Sequence, residues 1–354
     1  MQFKIILSIS LLSKLLFMHS LEAQDVHFSQ FNTSSSYLNP AFTGAFEGSF
    51  RIRAINRDQW IGFEDQPLRT FAILGDIKLG LKGQKITGDH FGLGIHFLTD
   101  RVQPLDYNTN EASVSIAYHK RLTKKTKNYV SGGISFGVHQ KSINYEDLLF
   151  EDQFDGVNSY PFSTKELLPP NIFAVPEIKL GIQLNSQINN ALRIQSGLST
   201  QYTFAPEFSY YSTVDDPDYK GTKTSKAFTK IALLTNLIYY LDNLNQLYPR
   251  LLYSKQGPHQ LAIVGVNFRH AFYSLNESAV HAGVAIRIPK SEQTYLPADL
   301  SFMAGIEFKS FILGLSYDFG LKDLIAYKNP SHSFEISLSL IGDYNNEGFI
   351  CPEF

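Results

Sequence analysis

The stretch "HFGLGIHFLT", residues 90–99, alternates with a period of two: Phe91, Leu93, Ile95 and Phe97 share one face, while His90, Gly92, Gly94 and His96 share the other. The first face is wholly apolar and the second is small or polar. A water-soluble sandwich covers its outer face with Lys, Glu and Thr, so a second face of Gly, Ser, Ala and His suits the lumen of a membrane barrel. On pattern alone, a secreted sandwich or a soluble barrel is the alternative.

The alternation recurs outward from there. Ala112, Val114, Ile116 and Tyr118 oppose Ser113, Ser115, Ala117 and His119; Ile134, Phe136 and Val138 oppose Gly133, Ser135, Gly137 and His139; Phe334, Ile336, Leu338 and Leu340 oppose Glu335, Ser337 and Ser339. Segments of this kind are predicted at 49–56, 69–79, 90–99, 110–121, 128–140, 176–185, 191–202, 227–239, 249–256, 259–268, 278–288, 299–308, 311–319 and 332–341. That is an all-β, antiparallel transmembrane barrel of about fourteen strands, and an even count is what single-chain bacterial barrels show. Short periplasmic turns and long outer loops follow if the first strand runs outward. The connections Lys141 to Val175 and Thr203 to Lys226 then lie outside, and "LTKKTKN" (122–128) and "NSQINN" (185–190) inside, with the tight "QGPH" at Gln256 to His259 as the exception.

Composition agrees with a barrel. Of 354 residues 44% are hydrophobic and only 18% charged, with 28 Phe and 19 Tyr against one Trp, which suits sheets that meet something apolar on more than one face. A net charge of −2 gives no field to attract nucleic acid. The beginning, "MQFKIILSISLLSKLLFMHSLEAQ", has Lys4, an apolar stretch to Met18 and the small-residue end Leu21-Glu22-Ala23, so it reads as a signal peptide over residues 1–23 cleaved before Gln24. Beyond it the longest apolar run, "IALLTNLIYYL" from Ile231, is well short of the ~20 residues of a spanning helix. Cys351 is the sole cysteine, so no internal disulfide staples the fold.

Catalytic chemistry finds no anchor. His96, His119 and His139 share the lumen by parity, but strand direction sets His119 at the opposite end, and strands two apart lie roughly 10 Å distant, too far for a zinc ion held at about 2 Å. No G-x-S-x-G elbow, G-x-G-x-x-G loop or G-K-[ST] loop is present, and "DDPD" at Asp215 to Asp218 lacks the Gly and terminal Glu of a calcium loop. No cofactor or metal is expected. Arg51, Arg53 and Arg57 could line a pore, or could pair with lumen carboxylates or lie at the rim.

Ahead of the first strand, "YLNPAFTGAF" (37–46) fits neither periodicity. Asn39-Pro40 forces an extended or turn backbone and Gly44 releases it, so Tyr37, Leu38, Phe42 and Phe46 can pack in a fixed irregular shape. Residues 24–48 are expected at the periplasmic side, tucked into the lower lumen or beneath the barrel, as a plug or as a docking surface. The barrel is assigned to 49–341 and a periplasmic tail to 342–354.

In order along the chain, "QDVHFSQF" (24–31), "YLNPAFTG" (37–44), "NRDQWIGF" (56–63), "LLFEDQFD" (148–155), "LGLSYDFG" (313–320), "FEISLSL" (334–340) and the terminal "CPEF" (351–354) resemble the PorP/SprF family, outer-membrane proteins of the type IX secretion system of Bacteroidota. Two places depart from the family pattern: Glu353 stands where relatives carry a basic residue, and "STQYTFAPEF" (199–208) replaces a His-x-x-Gln-Pro block. The resemblance implies a non-catalytic barrel that supports export or surface attachment of cargo with C-terminal signal domains, such as gliding adhesins. It also implies contact with the periplasmic ring of the machinery. The residues marked for docking or plugging are Tyr37, Leu38, Asn39, Pro40, Phe42, Gly44, Gln59 and Trp60, and those for a tail contact are Cys351, Pro352 and Phe354. The competing function is a porin or small-solute channel, which the same barrel would serve.

Overall fold

The computed structural model describes residues 26–61, 67–80, 88–102, 106–123, 128–146, 148–166, 168–208, 210, 226–272, 278–291, 294–321 and 332–342. Strands run over Phe50–Ile61 (β1), Leu68–Gly80 (β2), His90–Val102 (β3), Tyr107–Arg121 (β4), Tyr129–Ser142 (β5), Ile172–Gln187 (β6), Leu192–Gln201 (β7), Lys230–Tyr240 (β8), Asn245–Gln256 (β9), His259–Ala271 (β10), Ser278–Ser291 (β11), Asp299–Phe308 (β12), Phe311–Gly320 (β13) and His332–Ile341 (β14). A further two-residue segment, Thr294–Tyr295, pairs with Lys290 and Ser291 at the end of β11. Every strand pairs antiparallel with its chain neighbour, and β1 pairs with β14, so the sheet closes on itself as a fourteen-stranded barrel with no free edge.

The period-two reading sets the two faces as expected. Ile95, Val114, Phe136, Ile182 and Ile306 stand on the outer surface, whereas His96, Ser115, Ser135, Gln183 and Glu307 are buried inside. An apolar exterior and a polar interior are what a lipid-embedded wall requires. No described helix is long and apolar enough to cross a membrane.

The predicted strands occur, several of them longer than read. β1 continues past residue 56 to Ile61, where Arg57 is accommodated by lumen carboxylates and Asp58 lies beside Arg69. Its ladder with β14 shifts at Trp60, whose φ of 64° is a left-handed backbone, so a bulge aims the end of the strand. The long connections 143–171 and 202–229 leave the same end as the "QGPH" hairpin, where Gly257 supplies a φ of 57°. That end is outer by the loop-length rule.

Candidate functional site

Residues 26–48 do not lie beneath the barrel; they run through its lumen. The three arginines of β1 meet the segment in reverse order. Arg57, nearest the outer end, donates to Ser29 Oγ at 3.0 Å. Arg53 donates to Asn32 O, Ser35 Oγ and Ser36 Oγ at 3.2, 3.2 and 2.8 Å. Arg51, nearest the periplasmic end, reaches Phe42 O at 3.5 Å. The segment therefore enters at the outer end and descends antiparallel to β1. Of the two placements expected for this segment, the described residues 26–48 take the lumen rather than the space beneath the barrel, and they reach its outer half as well as its lower one. The wall itself supplies carboxylates to Arg51 and Arg57 (Asp76, Asp318 and Glu335), and the segment adds acceptors along the same height, three of them to Arg53.

Local sequence gives the segment its shape. Ser35–Leu38 makes one helical turn and Pro40–Phe42 a 3-10 turn. Between them Asn39 is extended, its Oδ1 accepting from Ala41 N at 2.9 Å while its amide donates to Ile182 O at 3.2 Å. Gly44 turns out of the segment with φ 78°, its N–H donating to Asp76 Oδ2 at 2.8 Å. Phe28, Phe31, Tyr37, Phe42 and Phe46 are buried, Phe42 completely. Phe42 packs with Phe31, Leu234, Leu252 and Ile263 across to β8–β10, and Phe46 with Ile312 and Ile341 at the lower rim.

The lumen glycines form the seat. A Cβ at Gly133 would fall 2.5 Å from Ala41 N and from Pro40 C, one at Gly197 would fall 2.6 Å from Phe42 Cε2, and those at Gly92 and Gly181 would overlap Thr43 O and Asn39 Oδ1. The small face that marked a lumen in the sequence is thus the imprint of the segment that fills it.

Two polar clusters fix the segment. At the outer half, Glu335 accepts the N–H groups of Ser29 and Gln30 at 2.6 and 3.0 Å and pairs with Arg57. Asp318 binds Arg57 at 2.9 Å, Arg287 at 3.3 Å and Ser29 Oγ at 2.7 Å. Opposite, Tyr37 donates to Glu111 at 2.6 Å, and Glu111 also holds His139 at 2.9 Å. Lys179 lies 3.3 Å from Glu177, 3.8 Å from Glu111 and 3.7 Å from the centre of the Tyr37 ring. Glu111, His139 and Glu177 have ligand atoms within 4.8 Å of one another, but the Lys179 ammonium already stands between the two carboxylates.

The sequence-marked residues within the described part of the chain fall into two places. Tyr37, Leu38, Asn39, Pro40, Phe42 and Gly44 sit in the lumen. Gln59 and Trp60 line an open cavity of about 770 Å³ at the outer end, along with Val26, His27, Tyr202 and Phe208, and with Glu111 and His139 at its edge. Cys351, Pro352, Phe354 and the Asp215 to Asp218 run lie outside the described residues. Arg51 pairs with Asp76 at 2.8 Å, so the β1 arginines serve buried contacts rather than a rim. His119 instead joins the lower lumen, stacked on His90 at 4.4 Å and bonded to Thr43 O at 2.8 Å. Parity had already set Glu335 on the lumen face, whereas Asp76, Glu111, Glu177 and Asp318 escaped the sequence reading, although their lumen-facing parity was visible.

The connection 143–171 is folded on itself. Ile143 N–H donates to Asn171 O at 2.9 Å across its base. Asp155 accepts from Val157, Asn158 and Ser159 N–H at 2.8, 3.0 and 3.1 Å and from Ser159 Oγ at 2.6 Å. Asp152 accepts from Thr164 Oγ1 at 2.9 Å. Those bonds hold both carboxyls below the usual aspartate range, through Ser159 first for Asp155 and through the Lys165 N–H first for Asp152.

The sequence model of the family described as "Type IX secretion system membrane protein PorP/SprF" matches residues 20–340. No curated protein matches the chain. Among solved structures, the TodX deltaS2S3 mutant monoaromatic hydrocarbon channel is similar at 9% identity and a TM-score of 0.51, over 88% of this chain and 94% of that one. A Pseudomonas aeruginosa FadL homologue is similar at 10% identity and a TM-score of 0.46, over 87% and 94%. At such identities the likeness concerns the barrel fold alone.

Proposed function

The chain belongs to the PorP/SprF family of type IX secretion system membrane proteins, and from that premise we propose that it is a non-catalytic outer-membrane component that supports export or surface attachment of cargo proteins. The family match along the whole barrel carries this reading. Cargo bearing a C-terminal signal domain, or a surface adhesin, meets the outer connections. The machinery's periplasmic ring meets the opposite end, where the tail residues Cys351, Pro352 and Phe354 are assigned. Processing before Gln24 removes the signal.

The competing channel reading needs an open lumen. The seated segment, bonded to β1, β4, β6, β13 and β14, argues against it. Tyr37, Leu38, Asn39, Pro40, Phe42 and Gly44 are in this proposal plug residues, and Gln59 and Trp60 belong to the outer contact surface.

The test is deletion of the gene with complementation, read as surface cargo, beside planar-bilayer recording of the purified protein. Cargo held back in the deletion strain and a silent bilayer are expected. Normal cargo display with a large, steady conductance would overturn the proposal in favour of the channel.

A further inference from the structure

The connection 143–171 combines three properties. It is internally ordered by the Asp155 and Asp152 turns, with Phe154 and Tyr160 rings 5.1 Å apart and Gly156 at φ 81° allowing the reversal. It nevertheless leaves large apolar side chains in the open: Val157 is 79% exposed, Leu149 67% and Phe162 57%. Its charge is one-sided, since Glu146, Asp147, Glu151, Asp152, Asp155 and Glu166 face Lys165 alone.

Each property bears on an occupant. Apolar side chains held out on an ordered frame mark an interaction surface rather than a slack loop. Order before contact lowers the entropy cost of binding. The acidic excess repels anionic lipid headgroups and nucleic acid, and it favours a positively charged protein face. The "LTKKTKN" connection, assigned to the opposite end, carries Lys124, Lys125 and Lys127 and no acid, so these two connections differ in sign.

We propose that residues 143–171 are a preformed docking loop for a protein partner whose contact face is basic and apolar, with Leu149, Val157 and Phe162 entering the partner and Glu146, Glu151 and Glu166 selecting it by charge. Within the secretion reading on which this builds, the partner is exported cargo on the outer face. Asp152 and Asp155 hold the frame, and their carboxyls are spent on backbone and hydroxyl donors.

The test places the photo-cross-linker p-benzoylphenylalanine at Val157 or Phe162 of the full-length protein in living cells and maps the adduct by mass spectrometry. The expected result is a protein adduct through a peptide of net positive charge. Its yield should fall roughly tenfold in the Glu146→Gln/Glu151→Gln/Glu166→Gln variant, and again when membranes are washed from about 50 to about 500 mM salt before irradiation. Proteolysis of the outer loops, unchanged between variant and parent, checks that the frame survives. A lipid adduct, an acidic peptide, no adduct from either position, or a yield indifferent to both charge changes overturns the proposal. An adduct with a basic surface protein that is displayed normally without this barrel leaves the docking loop standing and removes the cargo reading.

Discussion

At the scale of single residues, the segment is tied to the lumen by particular polar pairs, so substitutions at those pairs have sharp consequences. Tyr37→Phe removes the hydroxyl from Glu111 and leaves a buried carboxylate one donor short, a loss of about 1–3 kcal/mol. Heat-modified mobility of the folded barrel on a gel should show the lower transition, with assembly in the membrane retained. Gly133→Leu forces a side chain into Pro40 and Ala41, which cannot retreat because Gly92 and Gly181 fix their neighbours. The expected outcome is a displaced segment, seen as new proteolytic cleavage within residues 26–48.

Asp155 gives the pH dependence its sign. Its carboxyl is held below the ordinary range of about 4, so the turn it stabilises is complete above that range and loosens as pH falls through the depressed value. Amide exchange at Val157 to Ser159, corrected for intrinsic rates, should be unchanged between pH 7 and pH 5 and should accelerate only in stronger acid. Asp155→Asn should show the fast exchange already at neutral pH.

At the scale of elements, the strands were legible because parity is a local property. Alternation in "HFGLGIHFLT" needs no knowledge of what lies opposite, and the same held for β4, β5 and β14. Strand bounds were less legible: β1 runs on past residue 56 to Ile61, with Arg57 at a lumen position and Asp58 beside Arg69. The path of residues 26–48 was not legible, since nothing local says which carboxylate of a distant strand Ser29 will meet. Glu335 lies 306 positions away in the chain. The glycines carried the missing signal, yet a small lumen face reads equally as water-filled space. Deleting residues 27–46 should convert a silent barrel into a conducting one in planar bilayers; silence after deletion would mean that another part of the chain closes the lumen.

At the scale of the whole molecule, the segment reaches opposite walls, with Phe42 packed against β8–β10, Tyr37 on β4 and Ser29 on β13 and β14. Barrel and segment should therefore unfold in one transition by near-ultraviolet circular dichroism in detergent, and Arg57→Met should lower that transition. That substitution leaves Glu335 without its guanidinium and Asp318 with only Arg287, a cost of about 3–5 kcal/mol. Two separate transitions would show the segment to be an independent insert.

The closing pair of strands, β1 and β14, is also the pair whose arginines and glutamate grip residues 29–36. A seat that admits no added methyl group on β3, β5 and β6 leaves little room to thread the segment into a finished cylinder. The segment is thus fastened to both strands of the closing seam, standing to the wall as a mandrel stands to the sheet wrapped around it.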